Sequence, residues 1–152
     1  MKSAATFTST PFFRTPTGHR FWLRISAIVI GSFGPIFMLG AWLPTAEAAR
    51  WSLDLLSWPL DGDTRYTDPD TRFLSALTGG FLMGWGMMVW GISRWVPNEG
   101  LNAARRSLVL GFLAWFITDS VGSVLAGAAS NVGFNILILL IGVGPLWWRA
   151  RV

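Results

Sequence analysis

Residues 107–125 form an apolar run that holds one charged side chain, Asp119. A carboxylate well inside a membrane helix costs about 3 kcal/mol on insertion scales, so such groups face protein or a wet cavity and recur in transport and proton relays. At helical spacing Trp115, Gly122, Ser123 and Ala126 share its face. That face is small and partly polar, which turns Asp119 toward protein. Ser75, Thr78, Ser123, Asn131 and Asn135 are the hydrogen-bonding residues expected at comparable depth. Arg72 is the obvious ion-pair partner by type. Helical side chains lean toward their own N-terminus, however, carrying Arg72 outward and Asp119 deeper, which counts against that pair. Two readings of the polar site Asp119, Asn135, Thr78, Ser123 and Arg72 stay open: a structural clasp of hydrogen bonds, or a proton or substrate site.

Little else in the chain has the types or spacing for chemistry. With no Cys there is no disulfide, thiolate ligand or Cys nucleophile. The single histidine, His19, falls in the N-terminal leader and reads as a polar tail residue. Asp61, Asp63, Asp68 and Asp70 crowd residues 61–70, a composition that suits Ca²⁺, but their order fails the EF-hand pattern, so a solvated acidic turn is expected. The GxG strings lie inside apolar runs with no strand before them and carry no nucleotide meaning. One intramembrane carboxylate without a basic partner lacks the second member that acid–base or nucleophilic catalysis needs. The expectation is therefore no catalytic residue, no cofactor and no metal site.

The elements that must position Asp119 follow from hydropathy. Of 152 residues, 52% are hydrophobic and 13% charged, about half the charge of a soluble domain. Uninterrupted apolar runs occupy 25–43, 73–93, 107–125 and 132–148. Each is close to the roughly 20 residues that cross a 30 Å hydrocarbon core as a helix, and none alternates as a barrel strand would. The fold expected is all-α: a four-helix transmembrane bundle over 21–152, an outer loop at 44–72 and a flexible cytoplasmic tail over 1–20. Gly34-Pro35 and Gly144-Pro145 mark kinks. Ala46-Glu47-Ala48 resembles a signal-peptidase site, but the preceding run is longer than a signal sequence's apolar core.

Orientation follows from basic residues. Lys2, Arg14, Arg20, Arg24, Arg94, Arg105, Arg106, Arg149 and Arg151 flank one side, whereas the 44–72 loop sets six carboxylates against Arg50, Arg65 and Arg72. By the positive-inside rule both termini are cytoplasmic and the acidic loop is outside. The basic excess is thus a matter of topology, and no nucleic-acid partner is implied. Trp22, Trp90, Trp95, Trp147 and Trp148 fall near the inner ends of the spans, Trp42, Trp51 and Trp58 near the outer boundary. Trp85 and Trp115 lie deep and should point into the bundle or up a packing seam.

In the outer loop, Thr45 is placed to cap a short amphipathic helix with Ala48, Trp51, Leu55 and Trp58 on its apolar face, ended by Pro59. It should lie on the outer membrane surface or cap the bundle. In the second span, Ala76, Gly80 and Gly84 make a small-xxx-small stripe for close helix packing, within the chain or against another.

Trp58-Pro59-Leu60-Asp61-Gly62, Thr71-Arg72-Phe73-Leu74-Ser75-Ala76, Gly84-Trp85-Gly86, Ala114-Trp115-Phe116-Ile117-Thr118-Asp119-Ser120 and Gly122-Ser123 resemble a family of small four-span inner-membrane proteins of bacteria. The resemblance implies topology and a bacterial inner membrane, and it brings no activity. Two functions are weighed. One is a non-enzymatic accessory or assembly subunit, in a larger membrane complex or homo-oligomer, packing through Ala76, Gly80 and Gly84. The other is a small-solute or proton-coupled carrier using Asp119 with Asn135. A membrane enzyme acting on lipid or quinone would need two polar groups converging on one cavity.

Overall fold

The structure is a computed structural model and describes residues 11–151; the first ten residues of the expected tail, Lys2 among them, lie outside it. Every regular element among the described residues is helical: α1 Pro16–Leu39, α2 Glu47–Ser57, α3 Pro69–Trp95, α4 Asn98–Leu125 and α5 Asn131–Val143, with 3-10 turns at Phe12–Arg14, Leu43–Thr45 and Gly144–Trp147. α1 and α3 begin alike. Thr15 accepts from the Gly18 N–H at 3.1 Å ahead of Pro16, and Asp68 accepts from the Thr71 N–H at 3.0 Å ahead of Pro69. A short oxygen-bearing cap followed by proline leaves fewest N–H groups unpaired. The early start corrects the expected tail: residues 16–20 are helical, and Arg14 is tied through its carbonyl to the Arg151 N–H at 2.7 Å. His19, expected on a solvated tail, is 0% exposed, and neither ring nitrogen has a partner among the described residues.

α1, α3 and α4 are long and apolar enough to cross a membrane. The run 132–148 is not a single α-helix. α5 stops at Val143 after 13 residues, and Gly144, at φ 40°, passes into the 3-10 turn. The cause is Pro145, which has no N–H for the Ile141 carbonyl one turn back. α1 supplies the missing donors: Trp22 Nε1 donates to the Ile141 carbonyl at 3.1 Å and Ser26 Oγ to that of Gly142. The helix break thus becomes the α1–α5 contact. Pro35, by contrast, sits inside α1 without ending it.

α1 and α3 pack most closely, backbone on backbone. A Cβ on Gly79 would lie 2.4 Å from the Met38 nitrogen, and one on Gly86 would lie 2.7 Å from Gly31 Cα. Glycine alone permits that approach, in which van der Waals contact and Cα–H bonds hold the pair. The seam therefore runs through Ser75, Gly79, Gly86, Val89 and Ser93. It is not the Ala76–Gly80–Gly84 stripe as an internal interface: Gly80 and Gly84 are exposed with nothing near a would-be Cβ. Both stripes have small residues, but the internal one is offset by about 100° per residue around the helix.

α4 and α5 form the second pair. Leu23, Ile30, Val89, Leu101, Phe112, Val143 and Leu146 join the two pairs toward the end that carries the termini. Arginines close this end. Arg20 donates to the Ser93 and Val96 carbonyls at 3.0 and 2.6 Å, and Arg105 to those of Leu146 and Trp147 at 2.6 and 3.2 Å. Cationic donors thus cap carbonyls that helix ends leave unpaired. The topological excess of basic residues accordingly includes two with specific structural work.

At the opposite end α2 packs over the bundle through Ala49, Leu53 and Leu56, and Ser130 Oγ donates to the Leu56 carbonyl at 2.8 Å. Trp51, Leu55 and Trp58 are exposed, so the buried side of α2 is not the one they mark. A Cβ on Gly40 would lie 3.0 Å from that of Ala49, so α2 sits close over this glycine. Asp54, one of the six loop carboxylates, is 1% exposed. It accepts from the Gly62 N–H and Thr64 Oγ1, both at 3.2 Å, and so folds the acidic loop onto α2. Thr45 does not cap α2 but donates to the Leu39 carbonyl at 2.7 Å. Asp68 caps α3, and Asp70 lies in its first turn.

Gly79→Ala should lower stability by about 1–3 kcal/mol, the usual cost of overpacking a fixed backbone contact. Gly80→Ala should stay within about 0.5 kcal/mol of wild type. Thermal unfolding of both variants in detergent checks this; equal losses would refute the placement of the seam.

Candidate functional site

Asp119 is held by the hairpin of α4 and α5. The chain reverses at Gly127, whose φ of 82° suits glycine, and the Ala128 N–H bonds the Ser123 carbonyl at 2.8 Å. Residues equally far from Gly127 then face one another. Asn135 Nδ2 donates to Asp119 Oδ2 at 2.6 Å, and Asn131 Nδ2 donates to the same oxygen at 3.0 Å and to Ser123 Oγ at 2.9 Å. Asn135 Nδ2 also donates to Ser120 Oγ at 3.2 Å. Four-residue steps put 119 with 123, and 131 with 135, on single helix faces. The spacing about a glycine turn was a signal available in the sequence; Ser120, next to Asp119, was missed as a member.

Thr78 and Arg72 stand apart from this cluster. Thr78 is exposed on α3, across a cavity from Asp119. Arg72 is partly buried with its Nε unpaired, and the ion pair found among the described residues is Arg50–Glu47 at 2.9 Å. That exposed pair draws Glu47 below the usual carboxylate range through the Arg50 hydrogen bond. Ser75 turns away to donate to the Phe37 carbonyl at 2.7 Å. Among the described residues, no three of His, Asp and Glu gather as metal ligands would.

The cavity has a volume of about 540 Å³ and lies between the α1–α3 and α4–α5 pairs. α3 and α4 adjoin in sequence but make little backbone contact. Trp85 and Phe112 meet between them at 5.2 Å between ring centroids, with Trp115 edge-on to Phe112 at 6.4 Å. These three rings line the cavity toward the termini, and Ser52, Leu53, Leu55 and Leu56 of α2 line it at the other end. Phe33 and Phe37 of α1 and Phe134 and Ile138 of α5 complete its apolar walls. Leu74, Thr78 and Leu137 on the lining are also exposed, so it opens on the flank of the bundle. Asp119, Asn131 and Asn135 form its polar corner. Trp85 and Trp115 thus face inward, and the size is that of a site for a small organic molecule, about 300–1,000 Å³.

Tyr66, the chain's single tyrosine, was not among the expected site residues, since it falls in the acidic loop. It is buried on the cavity lining with its hydroxyl 3.2 Å from Ser75 Oγ. Burial pushes its phenol above the usual value, which the Ser75 hydrogen bond partly opposes.

Comparison of the chain with protein-family models, curated proteins and solved structures finds no match.

Asn135→Leu removes the 2.6 Å donor to Asp119 and should cost about 1 kcal/mol, the usual net worth of a part-buried hydrogen bond whose acceptor keeps a second donor in Asn131. Unfolding in detergent measures it, and no loss would mean that the hydrogen bond is not made. Tyr66 gives a signed pH dependence. The folded-state pKa is raised, so the unfolded chain ionises first and stability falls as pH rises beyond about 10. In Tyr66→Phe that alkaline component should vanish, at a cost near 1 kcal/mol at neutral pH for the lost hydrogen bond. Identical alkaline profiles for the two proteins would contradict the burial of the phenol.

Proposed function

We propose that this chain is a polytopic membrane protein that binds a small, mostly apolar molecule in the cavity and serves as a carrier or binding protein rather than an enzyme. The observation that carries this reading is an apolar cavity of about 540 Å³ open at the bundle flank and ending on Asp119, Asn131 and Asn135. The topology proposed is four-span. α5 and its 3-10 extension, Asn131–Trp147, together rise about 28 Å, close to a hydrocarbon core. The distribution of basic residues supports cytoplasmic termini, with α2 on the outer surface, and the motif resemblance supports a bacterial inner membrane. Catalysis is disfavoured because the two titratable groups on the lining, Asp119 and Tyr66, are engaged with amides and with Ser75.

One observation favours the accessory-subunit reading as a second possibility. The Ala76–Gly80–Gly84 stripe is left open by this chain, as a contact for another transmembrane helix would be.

Native mass spectrometry of the protein purified from its host in mild detergent separates the two. The binding reading expects a small-molecule adduct that disappears in Thr78→Trp, which fills the cavity without touching the amide cluster. A stoichiometric foreign subunit lost in Gly84→Leu, with no such adduct, would instead establish the accessory role and overturn the carrier.

A further inference from the structure

The polar corner of the cavity has an unequal supply of donors and acceptors. Each side-chain amide has two N–H hydrogens. Those of Asn131 serve Asp119 and Ser123, and those of Asn135 serve Asp119 and Ser120, so all four are spent. Both bonds to the carboxylate fall on Oδ2; among the described residues Oδ1 accepts none, and neither do the amide oxygens of Asn131 and Asn135. What the corner still offers an incoming molecule is mainly acceptors.

Charge points the same way. Among the described residues no Arg, Lys or His lines the cavity, and Asp119 forms no ion pair. A carboxylate with no counter-ion at the edge of an apolar cavity is stabilised by a cation entering that space. The nearby walls are aromatic, including Trp85, Trp115 and Phe134, and ring faces attract cations further. A bare inorganic cation would leave the apolar remainder of the volume unused.

We propose that the ligand is a lipophilic amine: an apolar body that fills the space between the helix pairs, carrying one protonated nitrogen whose N–H donates to Asp119 Oδ1. This rests on the cavity being a binding site, and it names the ligand class for that site. The amine enters from the bundle flank beside Thr78 and Leu137, head toward the α4–α5 hairpin.

The test is calorimetric titration of the protein in lipid nanodiscs, corrected against empty discs, with octylammonium, octanol and octanoate, which share one tail and differ in the head. Octylammonium should bind saturably and about tenfold or more tighter than octanol, as a charge-assisted hydrogen bond predicts, and octanoate should bind weakest. Asp119→Asn should bring octylammonium down to the octanol level and leave octanol unchanged. Octanol or octanoate binding as tightly as octylammonium to wild type would overturn the amine assignment while leaving the cavity a site. That comparison stands even where Asp119→Asn fails to fold. Absence of saturable binding by all three, or binding unaffected by Thr78→Trp, would overturn the binding site itself.

Discussion

Along the seam of α1 and α3, two backbones meet with no side chain between them. At Gly79 and Gly86 even a methyl group would collide with the backbone of α1. Apolar burial gives little drive to associate helices in lipid, so an approach this close, with many weak contacts, supplies the attraction instead. It also spends one face of α1 on α3. α5 therefore reaches α1 elsewhere, through the carbonyls that Pro145 frees and that Trp22 and Ser26 bond. That junction lies near the termini, and away from it the two helix pairs diverge around the cavity.

Both ends of the bundle are held by polar groups pairing with backbone. Near the termini, Arg20 and Arg105 bond helix-end carbonyls, and Asn102 exchanges two bonds with Ala150 at 3.1 and 2.9 Å. At the α2 end, Asp54 gathers the loop, Ser130 fixes α5 to α2, and Tyr66 meets Ser75. Unpaired backbone groups are costly in apolar surroundings, so these bonds tie each helix pair and the outer loop together, and the Ser130–Leu56 bond joins the α4–α5 hairpin to α2. The space between the helix pairs is lined mainly by apolar side chains that need no partners, and it can stay open without an unsatisfied polar cost.

Asp119 is the exception within that space, and the hairpin accounts for it. Two amides deliver donors to one carboxylate oxygen, and serines occupy the amides' remaining hydrogens. The cluster is local, built from residues that a single turn brings face to face. It therefore holds a carboxylate at the cavity wall with amide donors and, among the described residues, no arginine or lysine beside it.

The sequence by itself determined what local physics determines. Apolar runs of membrane length dictated helices, and placement of Asp119 among small and polar neighbours dictated its inward direction, whereas the starts of α1 at Pro16 and α3 at Pro69 lay upstream of the apolar runs that marked them. Asn131 and Asn135 were legible only as two of five hydrogen-bonding residues at its depth, beside Ser75, Thr78 and Ser123, because depth alone does not say which helix faces Asp119. Only the tertiary structure decided which of two small-residue stripes on α3 meets α1, since both satisfy the same spacing and the choice depends on the shape of the facing helix. It likewise decided the buried side of α2, the burial of His19, the structural use of Arg20 and Arg105, and the end of α5 at Val143. Each depends on residues far apart in the chain. The cavity is the clearest case, because a space between helix pairs is set by where neither pair reaches, and no run of residues encodes that alone.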